Sequence, residues 1–150
     1  MAYKDVLDVL APCGLNCAKC FAFYEGEVGL YSARLQDLLG DFDRYAERFS
    51  RLAGLEVFSN YPSFKELLSY LAQADCRGCR NGDCRYTGCG VITCYRQMGV
   101  DFCFECPEFP CARTNFDPDL ERRWRQMNTR MREVGPEEYL KETRDLPRYR

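Results

Sequence analysis

Eleven cysteines and no histidine in a chain of 150 residues set the chemistry open to this sequence. Three pairs, Cys17-Ala-Lys-Cys20, Cys76-Arg-Gly-Cys79 and Cys103-Phe-Glu-Cys106, have the spacing at which one tight turn aims two sulfurs at a common ion. Cys13, Cys84, Cys89, Cys94 and Cys111 add single thiols. With histidine absent, sulfur must be the soft donor. That favours zinc, with a [4Fe–4S] cluster as the alternative, over copper, nickel or non-haem iron. An odd number of cysteines cannot pair completely into disulfides, and thiols in a reducing compartment are kept free to ligate. The expectation is zinc held by Cys13, Cys17, Cys20, Cys76, Cys79, Cys84, Cys89, Cys94, Cys103, Cys106 and Cys111.

The spacing permits more than one partition of these ligands. Taken in chain order, Cys76, Cys79, Cys84 and Cys89 make one four-thiolate site and Cys94, Cys103, Cys106 and Cys111 a second. Interleaved sets satisfy the spacing equally well. The trio Cys13-x-x-x-Cys17-x-x-Cys20 is then left over. Its spacing is the one by which radical S-adenosylmethionine enzymes hold a [4Fe–4S] cluster, but the βα repeats those enzymes need are not in this sequence. The trio is expected to borrow a later cysteine and close a structural site. An enzyme or sensor with an open zinc or iron–sulfur site on Cys13, Cys17 and Cys20 is the alternative.

No catalytic residue is assigned. There is no nucleotide-binding loop, nucleophile elbow or histidine metal motif, and the commonest general base is missing. A thioredoxin-like role for one Cys-x-x-Cys pair would need a βαβ setting. Glu137 and Glu138 read as solvated helix surface.

The elements that must position the thiols are mostly helical. Between Cys20 and Cys76, Leu35, Leu38, Leu39, Phe42, Tyr45, Ala46, Phe49 and Leu52 recur at helical period, which predicts one helix over Ser32–Leu52 with these residues buried. Ser63 and Glu66 have the spacing of a capping box, so a second helix should start at Ser63 and end near Asp75, delivering Cys76. Asp117 as N-cap and Pro118 open a third, with Leu120, Trp124, Met127, Met131 and Val134 inward and Gly135 as its stop. Pro136 starts a short last helix. The arginines Arg122, Arg123, Arg125, Arg130 and Arg132 then form a solvated face rather than a nucleic-acid contact. From Cys76 to Cys111 neither helical nor strand period holds, glycine and proline recur, and metal must supply the order that apolar burial does not.

The predicted architecture is mainly α, a small metal-stapled single domain over residues 1–150. It comprises the cysteine trio at 13–20, a helical insert at 30–75, an irregular zinc-knuckle region at 76–111 and C-terminal helices at 117–143. An apolar share of 46% with 29% charged residues is that of a folded globule. The net charge of −2 lacks the basic excess of a nucleic-acid binder. No stretch approaches the roughly 20 apolar residues of a membrane span. The reading is a cytoplasmic zinc protein whose metal is mainly structural, serving as an interaction module for an unidentified protein partner.

The segments Cys13-Gly14-Leu15-Asn16-Cys17-Ala18-Lys19-Cys20, Cys76-Arg77-Gly78-Cys79-Arg80 and Cys103-Phe104-Glu105-Cys106-Pro107-Glu108-Phe109-Pro110-Cys111 resemble the DUF3795 family of small cysteine-rich proteins of unknown function. The resemblance runs from Leu10 to Cys111, and Gly135–Leu140 is similar to the family's tail. It implies metal binding, taken as zinc, and brings no activity.

Overall fold

A computed structural model describes residues 2–82 and 84–149. The helices are α1 (Tyr3–Val9), α2 (Glu27–Leu39), α3 (Asp43–Leu52), α4 (Tyr61–Ala72), α5 (Val91–Met98), α6 (Pro118–Val134) and α7 (Pro136–Thr143). No strand occurs among the described residues, so the mainly α class holds. The chain divides into two compact units: Met1–Cys20 with Cys76–Arg150, which carries all the cysteines, and Phe21–Asp75.

In the helical unit the expected Ser32–Leu52 helix is two helices. α2 stops at Gly40, which takes φ +47°, and α3 starts at Asp43. The stripe predicted to be buried is largely exposed: Ala46 is buried, but Leu35, Leu38, Tyr45, Phe49 and Leu52 face solvent, Leu52 with 82% of its surface. The break turns α3 away from the line of α2, so one continuous stripe has no single partner. α2 instead buries Gly29 and Ser32, and its Gln36 Nε2 donates to Ser69 Oγ of α4 at 2.7 Å. The unit is held by aromatic rings around Phe42, with Tyr61 at 5.1 Å, Phe58 at 5.9 Å and Phe49 at 6.2 Å between centroids. α4 begins at Tyr61 with Pro62 in its first turn, so the Ser63/Glu66 capping box is not used.

The cysteine unit is built on α6. Asp117 caps it as expected, its carboxylate accepting from Asp119 N at 3.0 Å and Leu120 N at 3.1 Å. Trp124, Met127, Asn128 and Met131 are its buried face, and α7 adds Pro136, Tyr139 and Leu140. Val6, Leu10 and Phe102 complete this core. The arginine face of α6 is laced with acids, as in Arg125 with Glu121 at 2.5 Å and Arg122 with Asp119 at 2.5 Å.

The Cys76–Cys111 region contains a helix that the sequence reading missed. Val91, Cys94, Tyr95 and Met98 are a helical i, i+3, i+4, i+7 set, hidden because Cys94 was counted as a ligand rather than as apolar surface. Gly90 at the start of α5 is obligatory: a Cβ there would lie 1.9 Å from the Arg113 carbonyl oxygen. No helix among the described residues is long and apolar enough to cross a membrane.

Candidate metal centre

The cysteines sit on tight turns whose backbone points at sulfur. Gly78 N donates to Cys76 Sγ at 3.4 Å. The same two-residue step brings backbone donors of Leu15 to Cys13, Tyr86 to Cys84 and Val91 to Cys89. Such N–H groups favour the thiolate over the thiol. In Cys13, burial outweighs the Leu15 donor and pushes the thiol well above its ordinary range. All eleven cysteines are free.

One set of thiols gathers around Cys79. Its side chain is hydrogen-bonded to both Cys17 and Cys84, which raises its own thiol and lowers those two below the ordinary thiol range. The Arg148 guanidinium lowers both further. Burial pushes the Cys76 thiol up, and the charges of Cys84, Cys17 and Cys20 add to that.

Arg148 belongs to a C-terminal strap laid over the Asn16–Cys20 turn. Lys19 Nζ donates to Leu146 O at 2.7 Å, Arg148 donates to Asn16 O at 2.5 Å, and Tyr149 Oη lies 3.7 Å from Cys20 Sγ. Burial works against the Arg148 charge, but the neighbouring Cys20 and Cys17 outweigh it and hold its proton more firmly.

The second set is Cys94, Cys103, Cys106 and Cys111, which line one cavity of about 20 Å³ together with Tyr95 and Trp124. That volume has room for one water-sized occupant. Burial pushes Cys103 up to about 12, against the opposing influence of the Trp124 indole N–H. Trp124 is 1% exposed, yet its Nε1 makes no hydrogen bond of normal geometry.

Three residues hold these turns in place. Asn128, fully buried on α6, accepts from Phe104 N at 3.0 Å and donates to Cys13 O at 2.8 Å and Trp124 O at 3.0 Å. Cys103 N donates to Pro12 O at 2.9 Å, so the first and last cysteine turns are also bonded directly. Gly14 takes φ +89° under α6, where a Cβ would meet Met131 Cε at 2.7 Å. Arg80 donates to Leu7 O at 3.1 Å and Asp101 O at 2.8 Å and lies over the Phe102 ring.

Cys94, Cys103, Cys106 and Cys111 line one cavity, while Cys17 is hydrogen-bonded to the later Cys79. Cys13 and Cys89 are each within the electrostatic reach of Cys103. Among the described residues, no three or more Cys, Asp or Glu side chains are arranged to hold an ion as they stand. The fit to a metal lies in the donor chemistry: grouped thiols, backbone donors aimed at sulfur, and a buried indole N–H without a partner.

Arg80, Asn128, Trp124 and Arg148 were not singled out from the sequence as parts of the centre. A signal existed for Asn128, a lone polar residue on the apolar face of α6. None existed for Arg148.

The profile of a family described as "Protein of unknown function (DUF3795)" matches residues 9–116. Neither curated proteins nor solved structures match the chain. The profile ends at Phe116, before the Gly135–Leu140 segment and the strap.

Proposed function

For a chain that belongs to the DUF3795 family of proteins of unknown function, we propose zinc binding, with the metal mainly structural and the stapled unit serving as an interaction module in a reducing compartment such as the cytoplasm. Cys94, Cys103, Cys106 and Cys111 would hold one ion. Cys17, Cys79 and Cys84, with Cys20 or Cys76 as the fourth donor, would hold another. Zinc supplies metal–sulfur bonds in place of thiol protons, and with them folding free energy for a short irregular loop.

The observation that carries this reading is the convergence of Cys94, Cys103, Cys106 and Cys111 on one small cavity. The residues of the chain do the rest. Asn128 and the Cys103–Pro12 bond hold the turns, the backbone donors favour thiolates, and Arg148 offsets the negative charge that several thiolates on one divalent ion leave behind. An open site on the Cys13, Cys17 and Cys20 trio alone is disfavoured by the pairing of Cys17 with Cys79.

Elemental analysis of protein purified without oxygen tests the proposal. The expected result is a colourless protein with roughly two zinc ions per chain, as two four-thiolate sites require. A brown, iron-containing protein would replace zinc by a cluster. A metal-free protein with the same fold would overturn metal binding.

A further inference from the structure

The indole of Trp124 is held rigidly. Phe109 meets it edge-on at 5.0 Å and 73°, Phe116 at 6.4 Å and 76°, and its backbone carbonyl accepts from Asn128 Nδ2 at 3.0 Å. A ring so fixed has a fixed N–H direction. That N–H is buried, makes no hydrogen bond of normal geometry, and belongs to a residue lining the cavity of Cys94, Cys103, Cys106 and Cys111. A buried donor left without a well-placed acceptor is destabilising.

A neutral thiol is a weak acceptor, whereas a metal-bound thiolate is a strong one and is oriented by such outer donors. We infer that Trp124 is a positioning residue of the second cysteine set, its indole N–H being reserved for one of the sulfurs of Cys94, Cys103, Cys106 and Cys111 in the metal-loaded state. The inference rests on the metal-binding reading above and adds to it a specific outer partner. With an ion held there, the sulfur facing the indole would carry no proton and would be a full acceptor for the Trp124 N–H.

The chain has a single tryptophan, so its indole gives one resonance. The test is nuclear magnetic resonance of the full ¹⁵N-labelled chain loaded with ¹¹³Cd as the probe. The expected result is a cadmium–proton coupling from the Trp124 N–H to one of the tetrathiolate cadmium resonances. Replacing Trp124 by benzothienylalanine keeps the ring shape and removes the donor. That variant should hold the same cadmium about tenfold more weakly, the lower end for loss of an outer partner, with the other resonance unmoved. Trp124→Phe should behave alike if it folds.

Bound cadmium at both sets with no coupling to the indole, and unchanged affinity in the benzothienylalanine protein, would overturn the inference while leaving metal binding intact. Absence of any cadmium resonance in the tetrathiolate range would overturn both.

Discussion

The two units of this chain use the same residue classes in opposite ways. In the helical unit, Phe21–Asp75, large apolar side chains recur at helical period, yet few are buried: Leu38, Leu52, Val57 and Leu67 each expose more than half their surface. In the cysteine unit, apolar residues are fewer along the irregular Cys76–Cys111 segment, yet Trp124, Phe102, Met131, Val6 and Leu10 are almost wholly buried. The lesson is that periodicity reports the capacity to form a helix, while burial depends on what the other elements bring to it. Buried side chains from α1, α6 and the Phe102 turn, with Asn128 as a buried polar anchor, organise the second unit more tightly than aromatic abundance organises the first.

The sharpest way to break this comparison is to remove the proposed metal. Cys103→Ser or Cys106→Ser should abolish one ion per chain and forfeit much of a binding free energy on the order of 10 kcal/mol. Hydrogen exchange should then show loss of protection over Cys76–Cys111 with α2 and α4 still protected. Equal loss in both units would erase the distinction drawn between them.

Asn128→Ala is expected to follow, at about 2–4 kcal/mol in thermal or denaturant unfolding, because it leaves the Phe104 N–H and the Cys13 carbonyl buried without partners. Gly14→Ala should lose about 1–3 kcal/mol through its positive φ and the contact with Met131. Leu52→Ser in the helical unit should change stability by less than about 0.5 kcal/mol, since an exposed side chain has little burial to lose. A large loss there would show that the exposed apolar face is covered in solution.

The smallest effect concerns acid. Arg130 hydrogen-bonds Glu142 across α6 and α7 and holds its carboxyl below the ordinary value of 4.5. A depressed carboxyl contributes stability above its unfolded value and loses it as pH falls through the folded one. Wild type should therefore lose a small increment below pH 4.5 that Glu142→Gln does not, read as a narrowing gap between their melting temperatures.

Much of this was legible in the sequence. Asp117, Pro118 and Gly135 marked both ends of α6, because capping chemistry is local and needs no knowledge of partners. The break at Gly40 was not legible, since the apolar repeat on either side of it continues in phase. The hydrogen bond between Cys17 and Cys79 joins cysteines on either side of the helical unit in the chain, which spacing does not encode. The strap of Leu146–Tyr149 has no periodicity, and its bonds are made largely by backbone carbonyls that every residue possesses.

The bond from Asn128 to the Cys13 carbonyl joins positions 115 residues apart. On the ribosome the chain emerges from its N-terminus. Cys17 can meet Cys79 and Cys84 once those residues are outside the exit tunnel, but the Cys13 turn stays untethered from α6 until Asn128 has followed. A nascent chain stalled before α6 therefore carries every cysteine and both partners of the Cys103–Pro12 bond, and lacks the Asn128 side chain that ties these turns to the helix.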